Sequence, residues 1–576
     1  MDSHSFTLIS TLLLVFSAAI LGGTLAKLAK QPVVLGYIAA GLLFGSVFPK
    51  ITDQSFLRTI ADAGVTLLLF TLGLEFSFHR IRKIFGTFIW AASVQILLTV
   101  FIMLLFTLFL GFPFLPSLFI AVAAALSSTA VIVKVLSERG ELDTGPGEAM
   151  TSWSIVQDLA VIPIMILLPA VAAVSLHGDV GTQAAITAVA ISILKGAVAL
   201  AVIVFLGRRV VPAMLSAVAG FGSREIFTIA TIGLVFLSAI VTYTLGLSAA
   251  IGAFIAGLLI AETSQNHAIF AEVRPLRDIF AVVFFVSLGL SIPAHFLLAN
   301  AGSLLLLTVV VIFVKWFIVM GLMRFMGYHR KTAFLVAVGL AQMSEFGFII
   351  AQQGVNIGAL NQDAYSFLVT LIFLTILVSA PALSAGHSFY YAVHTLLGGK
   401  FPKLFQTKAE MERMREELPY RDHVVLCGYG RVGKYIGRAL EMAGIPFVVV
   451  DYNNAAIRLL RERGIPVVYG DPADKDVLDY AQVDYAKAVI IAIPDRHTQE
   501  MVIANAQTLN RRIKIICRTH HEEDQKHLKS LGVDAVVQPE FEAALSIVGR
   551  LLPTFGINES DIAGKISRLK IEHGAG

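Results

Sequence analysis

The chain has 576 residues, 56% of them hydrophobic and only 15% charged, whereas a soluble domain is closer to about 45–50% apolar and about 25% charged. A mean hydropathy of +0.78 excludes a soluble enzyme, a disordered chain and a fibre. The net charge of +4 leaves no electrostatic footprint for nucleic acid. The two cysteines, Cys427 and Cys517, are too few for a disulfide framework and fit a reducing compartment.

Charge is spread unevenly. Residues 1–392 hold 35 charged side chains, about 9%, while residues 393–576 hold 49, about 27%. One chain therefore joins a membrane part, 1–392, to a soluble part. Between them, residues 393–419 read as a charged linker helix ending near Pro419. A nucleotide-binding domain over 420–550 and a tail over 551–576 complete the layout.

A helix needs about 20 apolar residues to cross a hydrocarbon core. Thirteen stretches qualify in chain order: 6–26, 31–48, 57–76, 85–109, 115–136, 148–173, 184–211, 225–244, 246–261, 275–292, 298–325, 332–353 and 364–392. The first lacks the basic start and small-residue cleavage site of a signal peptide and is read as a span. Alternate connections on one side carry fifteen Lys and Arg, against Lys50 and Arg58 on the other. Because Lys and Arg favour cytoplasmic loops, the N-terminus is expected outside and the C-terminal domain in the cytoplasm.

Ionisable groups at membrane depth cost about 2.5–3.5 kcal/mol each on insertion scales and mark function by default. Asp158, in TSWSIVQDLAVIPIMILL, lies about ten residues into its span, beside Gln157 and five residues before a helix-disturbing Pro163. A carboxylate there can hold a proton or a small cation, and competition between the two is the minimal chemistry of an antiporter. The plainer alternative is a structural acid paired with a buried lysine. Ser127, Ser128 and Thr129 interrupt the fifth span, and Gly339, Gln342, Ser344, Glu345 and Gly347 interrupt the twelfth. Paired interruptions in corresponding positions of two halves point to an inverted-repeat transporter with a midplane site. Hydrogen-bonded helix packing is the alternative for the hydroxyl cluster. Two lysines also fall within spans. Lys195 is expected to snorkel or face the bundle, and Lys315 to pair with Asp158 or serve structure.

In the soluble part, RDHVVLCGYGRVGKYIGRAL reads as strand, glycine-rich turn and amphipathic helix. Gly428, Gly430 and Gly433 form G-x-G-x-x-G, and the next strand ends at Asp451. That is the Rossmann context: a tight turn, a helix N-terminus for a phosphate and an acid for a ribose hydroxyl. Arg431 at the helix start and Asp471 after VVYG join the candidate nucleotide residues. The strands PVVYGD, AVIIAIP, KIICRT and AVVQP continue a parallel doubly wound domain of about 130 residues. The GYG triplet lies in this soluble loop, and no T-V-G-Y-G filter occurs between membrane helices. No catalytic constellation follows, which argues against a dehydrogenase; a structural, dimerising domain is the bland alternative to a ligand-sensing gate.

At these motifs the chain resembles the monovalent cation:proton antiporter-2 family, most closely Kef-type potassium/proton antiporters with a C-terminal RCK (TrkA-N) domain. LLLFTLGLEF, ALSSTA, VQDLAVIP, GAFIAGLLIAE, FFVSLGLSI, AQMSEFGF and GYGRVG…VVYGD carry the resemblance over about residues 5–550. The resemblance implies thirteen helices, two crossed broken helices, a dimerisation part and a mobile core part with elevator-like alternating access. It implies that Asp158 is the ion-binding aspartate with Gln157 its neighbour. It further implies that Ser128 and Thr129 mark one helix crossing, that Glu345 is the acid of the other, and that Lys315 matches a Kef lysine. Gly428, Gly430, Gly433 and Asp451 match a nucleotide site that in related domains takes AMP or NAD(H). The Gln-Asp pair, in place of two acids, resembles the electroneutral potassium-exchanging branch. Glutathione-gated members carry an acidic loop after the ninth helix. Here that stretch reads AETSQNHAIFAEVRPLRD, where His267 and Glu272 fit and Arg274 replaces an acid.

The expected function is secondary active antiport of potassium for protons, gated by a nucleotide on the RCK domain. A sodium/proton antiporter, an RCK-gated cation channel and a membrane-bound redox protein are the alternatives. No enzymatic activity is expected. The expected setting is a bacterial inner membrane, with lipid as surroundings, a homodimer joined through both domains and an ancillary regulatory subunit.

Overall fold

The computed structural model describes residues 3–29, 31–47, 54–75, 88–176, 207–397 other than 219, 222, 245–248, 262 and 264, then 421–519 and 522–572, with isolated positions between 187 and 205. The linker expected over 393–419 lies outside the described residues from 398 onward, as do Lys195 and most of the span expected over 184–211.

The chain forms two compact units. One comprises residues 1–132, 150–319 and 337–382, and the other 133–149, 320–336 and 383–576. The membrane helices are α1 (Ser3–Leu28), α2 (Val33–Val47), α3 (Gln54–Glu75), α4 (Phe88–Phe109), α5 (Phe114–Ala125), α6 (Thr129–Glu138), α7 (Gly145–Leu176), α8 (Arg224–Thr244), α9 (Ala249–Ala261), α10 (Asn266–Leu290), the short α11 (Ala294–Ala299), α12 (Ala301–Phe325), α13 (Arg330–Leu340), α14 (Phe346–Asn356), α15 (Gln362–Ser384) and α16 (Gly386–Leu397). Among the described residues, seven helical stretches are long and apolar enough to cross a membrane, and three shorter ones are apolar.

The fifth and twelfth expected spans are each two half-helices. α5 ends at Ala125 and α6 starts at Thr129; α13 ends at Leu340 and α14 starts at Phe346. Small polar side chains explain the breaks, because Ser and Thr offer the backbone local hydrogen bonds that compete with the helix ladder. The tenth span differs from expectation. It starts at Asn266 rather than near 275, with Pro275 inside the helix. The stretch expected as a loop after the ninth helix is therefore mostly the first, charged turns of α10.

In the first unit helices approach through small residues, as expected where lipid is no less apolar than leucine. Gly73 of α3 faces Gly257 of α9. A Cβ at 257 would lie 2.0 Å from the Phe70 carbonyl oxygen, and one at 73 would lie 2.2 Å from that of Phe254.

Among its described residues the second unit holds six parallel strands: β1 (Val424–Cys427), β2 (Phe447–Asp451), β3 (Val467–Tyr469), β4 (Ala488–Ile491), β5 (Lys514–Arg518) and β6 (Ala535–Val537). Their order is β3-β2-β1-β4-β5-β6, with Val424 opposite Phe447 on one side and Ala488 on the other. The strands β1 and β2 are buried throughout, as covering helices on both faces require. Alternate residues feed two cores: Val425, Cys427, Val448 and Val450 on one face, Val424, Leu426, Phe447 and Val449 on the other. Both cysteines are free and buried. The tail beyond 551 contains a 3-10 turn and a final helix, Glu559–Glu572.

Substituting Gly257 by Leu should force α3 and α9 apart, because backbone atoms cannot yield; overpacking of this kind costs about 1–3 kcal/mol. Thermal unfolding of the purified chain in detergent should drop by several degrees. Gly233→Ala should leave it unchanged, since nothing lies within 4 Å of a Cβ there.

Candidate functional site

The break between α5 and α6 is extended at Leu126 (φ −91°, ψ 152°). Several of the freed backbone groups there have identifiable partners. Ser127 N–H donates to Gln157 Oε1 (2.9 Å), and Ser127 Oγ donates to the Leu340 carbonyl at the end of α13 (2.8 Å). Val131 N–H donates to Ser128 Oγ (3.3 Å). Lys315 of α12 is fully buried, and its Nζ donates to the Leu126 carbonyl (2.5 Å), Ser127 Oγ (2.9 Å) and the Gln342 carbonyl (2.5 Å). The ammonium thus sits where α5 and α13 both end. Helix C-termini carry unsatisfied carbonyls and partial negative charge, and a cation is the group that satisfies both. Of the two expectations for Lys315, these three partners are those of the structural role: its donors are spent on backbone and hydroxyl at the breaks.

The carboxylates lie at the opposite, N–H-bearing ends. Thr129, first residue of α6, donates through Oγ1 to Asp158 Oδ2 (2.6 Å), and Asp158 is only 2% exposed. Glu345 stands at the N-cap position of α14, with the hydroxyls of Ser128 and Ser344 facing its carboxyl. Gln342 Oε1 and Glu345 Oε2 are buried acceptors with no hydrogen-bond donor among the described residues. Asp158 also lines a small, mostly apolar recess with Leu69, Leu72, Val161, Ile162, Met165, Ile251 and Phe254.

Several supporting residues were not singled out in the sequence. Gln95 of α4 accepts from Gln157 Nε2 (2.5 Å) and Trp153 Nε1 (3.3 Å) and donates to the Ala125 carbonyl (3.0 Å). Gln157 is therefore spent on fixing the break. Pro169 frees the Met165 carbonyl within α7, and Gln353 of α14 supplies the missing donor at 3.0 Å. An amide side chain inside an apolar span was the available signal for both glutamines.

In the second unit, Gly428 adopts φ +95° after β1, and a Cβ on Gly433 would lie 2.1 Å from the Gly428 carbonyl oxygen, so the turn and the close helix approach both need glycine. Gly430 faces open space, and Arg431, at the start of the following helix Arg431–Met442, pairs with Asp143 (2.6 Å) in an exposed bridge. Asp451 accepts from the backbone N–H of Tyr429 (2.6 Å) and Asn453 (2.8 Å). Burial nevertheless pushes its carboxyl above the usual range, against those hydrogen bonds. Asp471 is buried too, but the ammonium of Lys331 at 2.9 Å outweighs burial and holds it below the usual range.

A second cluster went unread in the sequence. His387 of α16 lies between Glu141 (Nε2 to Oε2, 3.4 Å) and Asp495 (Nδ1 to Oδ2, 3.3 Å). Arg139 takes the other oxygen of each, at 2.8 and 3.1 Å, and donates to the Ser384 carbonyl. Burial acts to raise Asp495, but His387, Lys331 and the Thr498 hydrogen bonds hold it down at about 2. Glu141 is held below its usual range in the same way by His387 and Arg139, against burial. The three ligand-type side chains lie close enough to hold a metal ion, yet Arg139 already bonds one oxygen of each carboxylate, and the arrangement is that of an ion-pair network.

Known proteins share both parts of this architecture. Residues 14–385 match the family described as sodium/hydrogen exchanger, transmembrane, and residues 424–539 match the TrkA-N domain. The putative cation/proton antiporter YbaL of Escherichia coli strain K12 is 31% identical over 549 residues, covering 95% of this chain and 97% of that protein. The glutathione-regulated potassium-efflux system protein KefC of Salmonella schwarzengrund is 30% identical over 567 residues, 97% of this chain and 86% of that one. The solved sodium proton antiporter MjNhaP1 of Methanocaldococcus jannaschii shares the membrane fold, with a TM-score of 0.53 at 16% identity over 66% of this chain and 100% of its own. The chain thus belongs to the sodium/hydrogen exchanger family, in the Kef-type branch that joins a cation/proton antiporter domain to a C-terminal TrkA-N domain.

Proposed function

We propose that the protein exchanges potassium for protons at Asp158 and that a nucleotide on the TrkA-N domain sets the rate. The observation that carries this reading is the buried Asp158 carboxylate, bonded to Thr129 at the N–H end of a half-helix in a domain with two broken helices. A helix N-terminus favours the charged carboxylate, so a proton can leave without stranding a bare charge. A cation then needs oxygen ligands in place of its hydration shell. Asp158 supplies the charge, and Glu345 and Gln342 offer buried acceptors at the neighbouring break. Potassium is favoured over sodium by the likeness to the potassium-efflux protein and by the Gln157–Asp158 pair, which offers one carboxylate where electrogenic relatives have two.

One carboxylate trading one proton for one cation moves no net charge. The bias of fifteen basic residues against two supports a cytoplasmic TrkA-N domain and an outside N-terminus, in a bacterial inner membrane. The glycine turn, Asp451 and Asp471 suit an adenine nucleotide, AMP or NAD(H), as the regulatory ligand. The working assembly is a homodimer.

In proteoliposomes, Asp158→Asn should abolish potassium-dependent proton flux while the purified variant keeps its wild-type unfolding temperature; full flux in a folded variant contradicts the assignment. Wild-type exchange should be unaltered by an imposed membrane potential, and a steep voltage response would place the protein among electrogenic exchangers. Gly430→Asp, at a position open in the structure, should weaken AMP or NADH binding at least tenfold by calorimetry without loss of fold. Unchanged binding would put the pocket elsewhere.

A further inference from the structure

In a doubly wound sheet, ligands bind outside the carboxyl ends of the strands, where the strand order reverses. Here the reversal lies between β1 and β4, with Asp451 ending β2 and Asp471 following β3 on the β1 side of it. The turn that enters α13 occupies the β2–β3 side of that edge, and all the residues involved belong to the second compact unit. His329 stacks on Tyr452 (5.5 Å between ring centroids) and meets Tyr469 edge-on (5.7 Å). Lys331 is fully buried, its Nζ 2.9 Å from Asp471 Oδ2, 2.5 Å from Tyr391 Oη and 3.0 Å from Thr498 Oγ1. The rings of Tyr391 and Tyr452 lie 4.7 and 5.6 Å from the same ammonium.

Asp471 has little left to offer a ligand in this arrangement. Its Oδ2 accepts from both Lys331 and Tyr391 (2.8 Å), and its Oδ1 accepts from the Ala473 N–H (3.1 Å). A ribose hydroxyl or adenine amine that donates to Asp471 would compete with Lys331 and Tyr391. A buried ammonium that loses its carboxylate is left uncompensated. Lys331 on Asp471 and a nucleotide on Asp471 are therefore alternatives. Lys331 is the second residue of α13, which runs without interruption to Leu340, one turn before the Glu345 break.

We propose that Lys331–Asp471 is a latch: the 329–331 turn holds the β2–β3 side of the nucleotide crevice, and a nucleotide gains Asp471 only by releasing Lys331 and with it the start of α13. Lys331 acts as a positioning residue, and the inference rests on the nucleotide reading above. The group that gates exchange is then fixed by chain connectivity to one of the two broken helices.

The test is calorimetric titration of AMP and of NADH into the full-length chain in detergent, paired with nucleotide-dependent flux in liposomes. Lys331→Met should bind the active nucleotide about tenfold more tightly, equivalent to about 1.4 kcal/mol, and its flux should no longer respond to that nucleotide. Tyr391→Phe removes the second competitor and keeps the ion pair; it should tighten binding by about two- to threefold, and it carries the test if the lysine variant does not fold. Wild-type protein that binds neither nucleotide overturns the nucleotide reading and the latch together. Wild-type binding with unchanged or weaker affinity in the variants, and an intact flux response, overturns the latch alone.

Discussion

Two helices stop inside the membrane domain, and the stops expose backbone groups that lipid cannot satisfy. The carbonyl ends of α5 and α13 meet at one fully buried side chain, Lys315, whose Nζ donates to the Leu126 and Gln342 carbonyls and to the Ser127 hydroxyl between them. That placement settles much of the rest. With the carbonyl ends neutralised by a lysine, the N–H ends of α6 and α14 are left to acidic groups, Asp158 through Thr129 and Glu345 at the cap position. Gln157, Gln95 and Trp153 then form a polar chain that pins the first break. A site built from backbone ends keeps its geometry because moving it would unpair many hydrogen bonds at once.

This electrostatic division explains how one fold can carry a cation and a proton by turns. Asp158 is buried, accepts a hydrogen bond from Thr129 and lies beside the N-terminus of α6. In the proposed cycle, cation and proton compete for that one carboxylate. In the TrkA-N domain, Asp471 and Asp495 are engaged by Lys331, Arg139 and His387.

The membrane class, the two interrupted spans, Asp158 and the glycine turn were legible because each violates a local expectation: apolar runs with polar breaks, an acid at midspan, glycines where a strand meets a helix. The start of α10 was not legible, since Pro275 usually reads as a boundary and here lies within a helix. Gln95, Gln353 and the Glu141–His387–Asp495 network were missed for a different reason. Single polar residues declare a role only once distant segments meet, 58 residues apart for Gln95 and Trp153 and 188 for Gln353 and Met165. Lys331 was counted with the loop charges, and its burial against Asp471 depends on tertiary placement that no sequence period records.

The central claim is that cation and proton exclude each other at a single carboxylate. It is tested most directly by titrating potassium into the purified protein at neutral pH in two buffers of different ionisation enthalpy. The account predicts one proton released for each potassium bound. Potassium uptake with no proton released would contradict it.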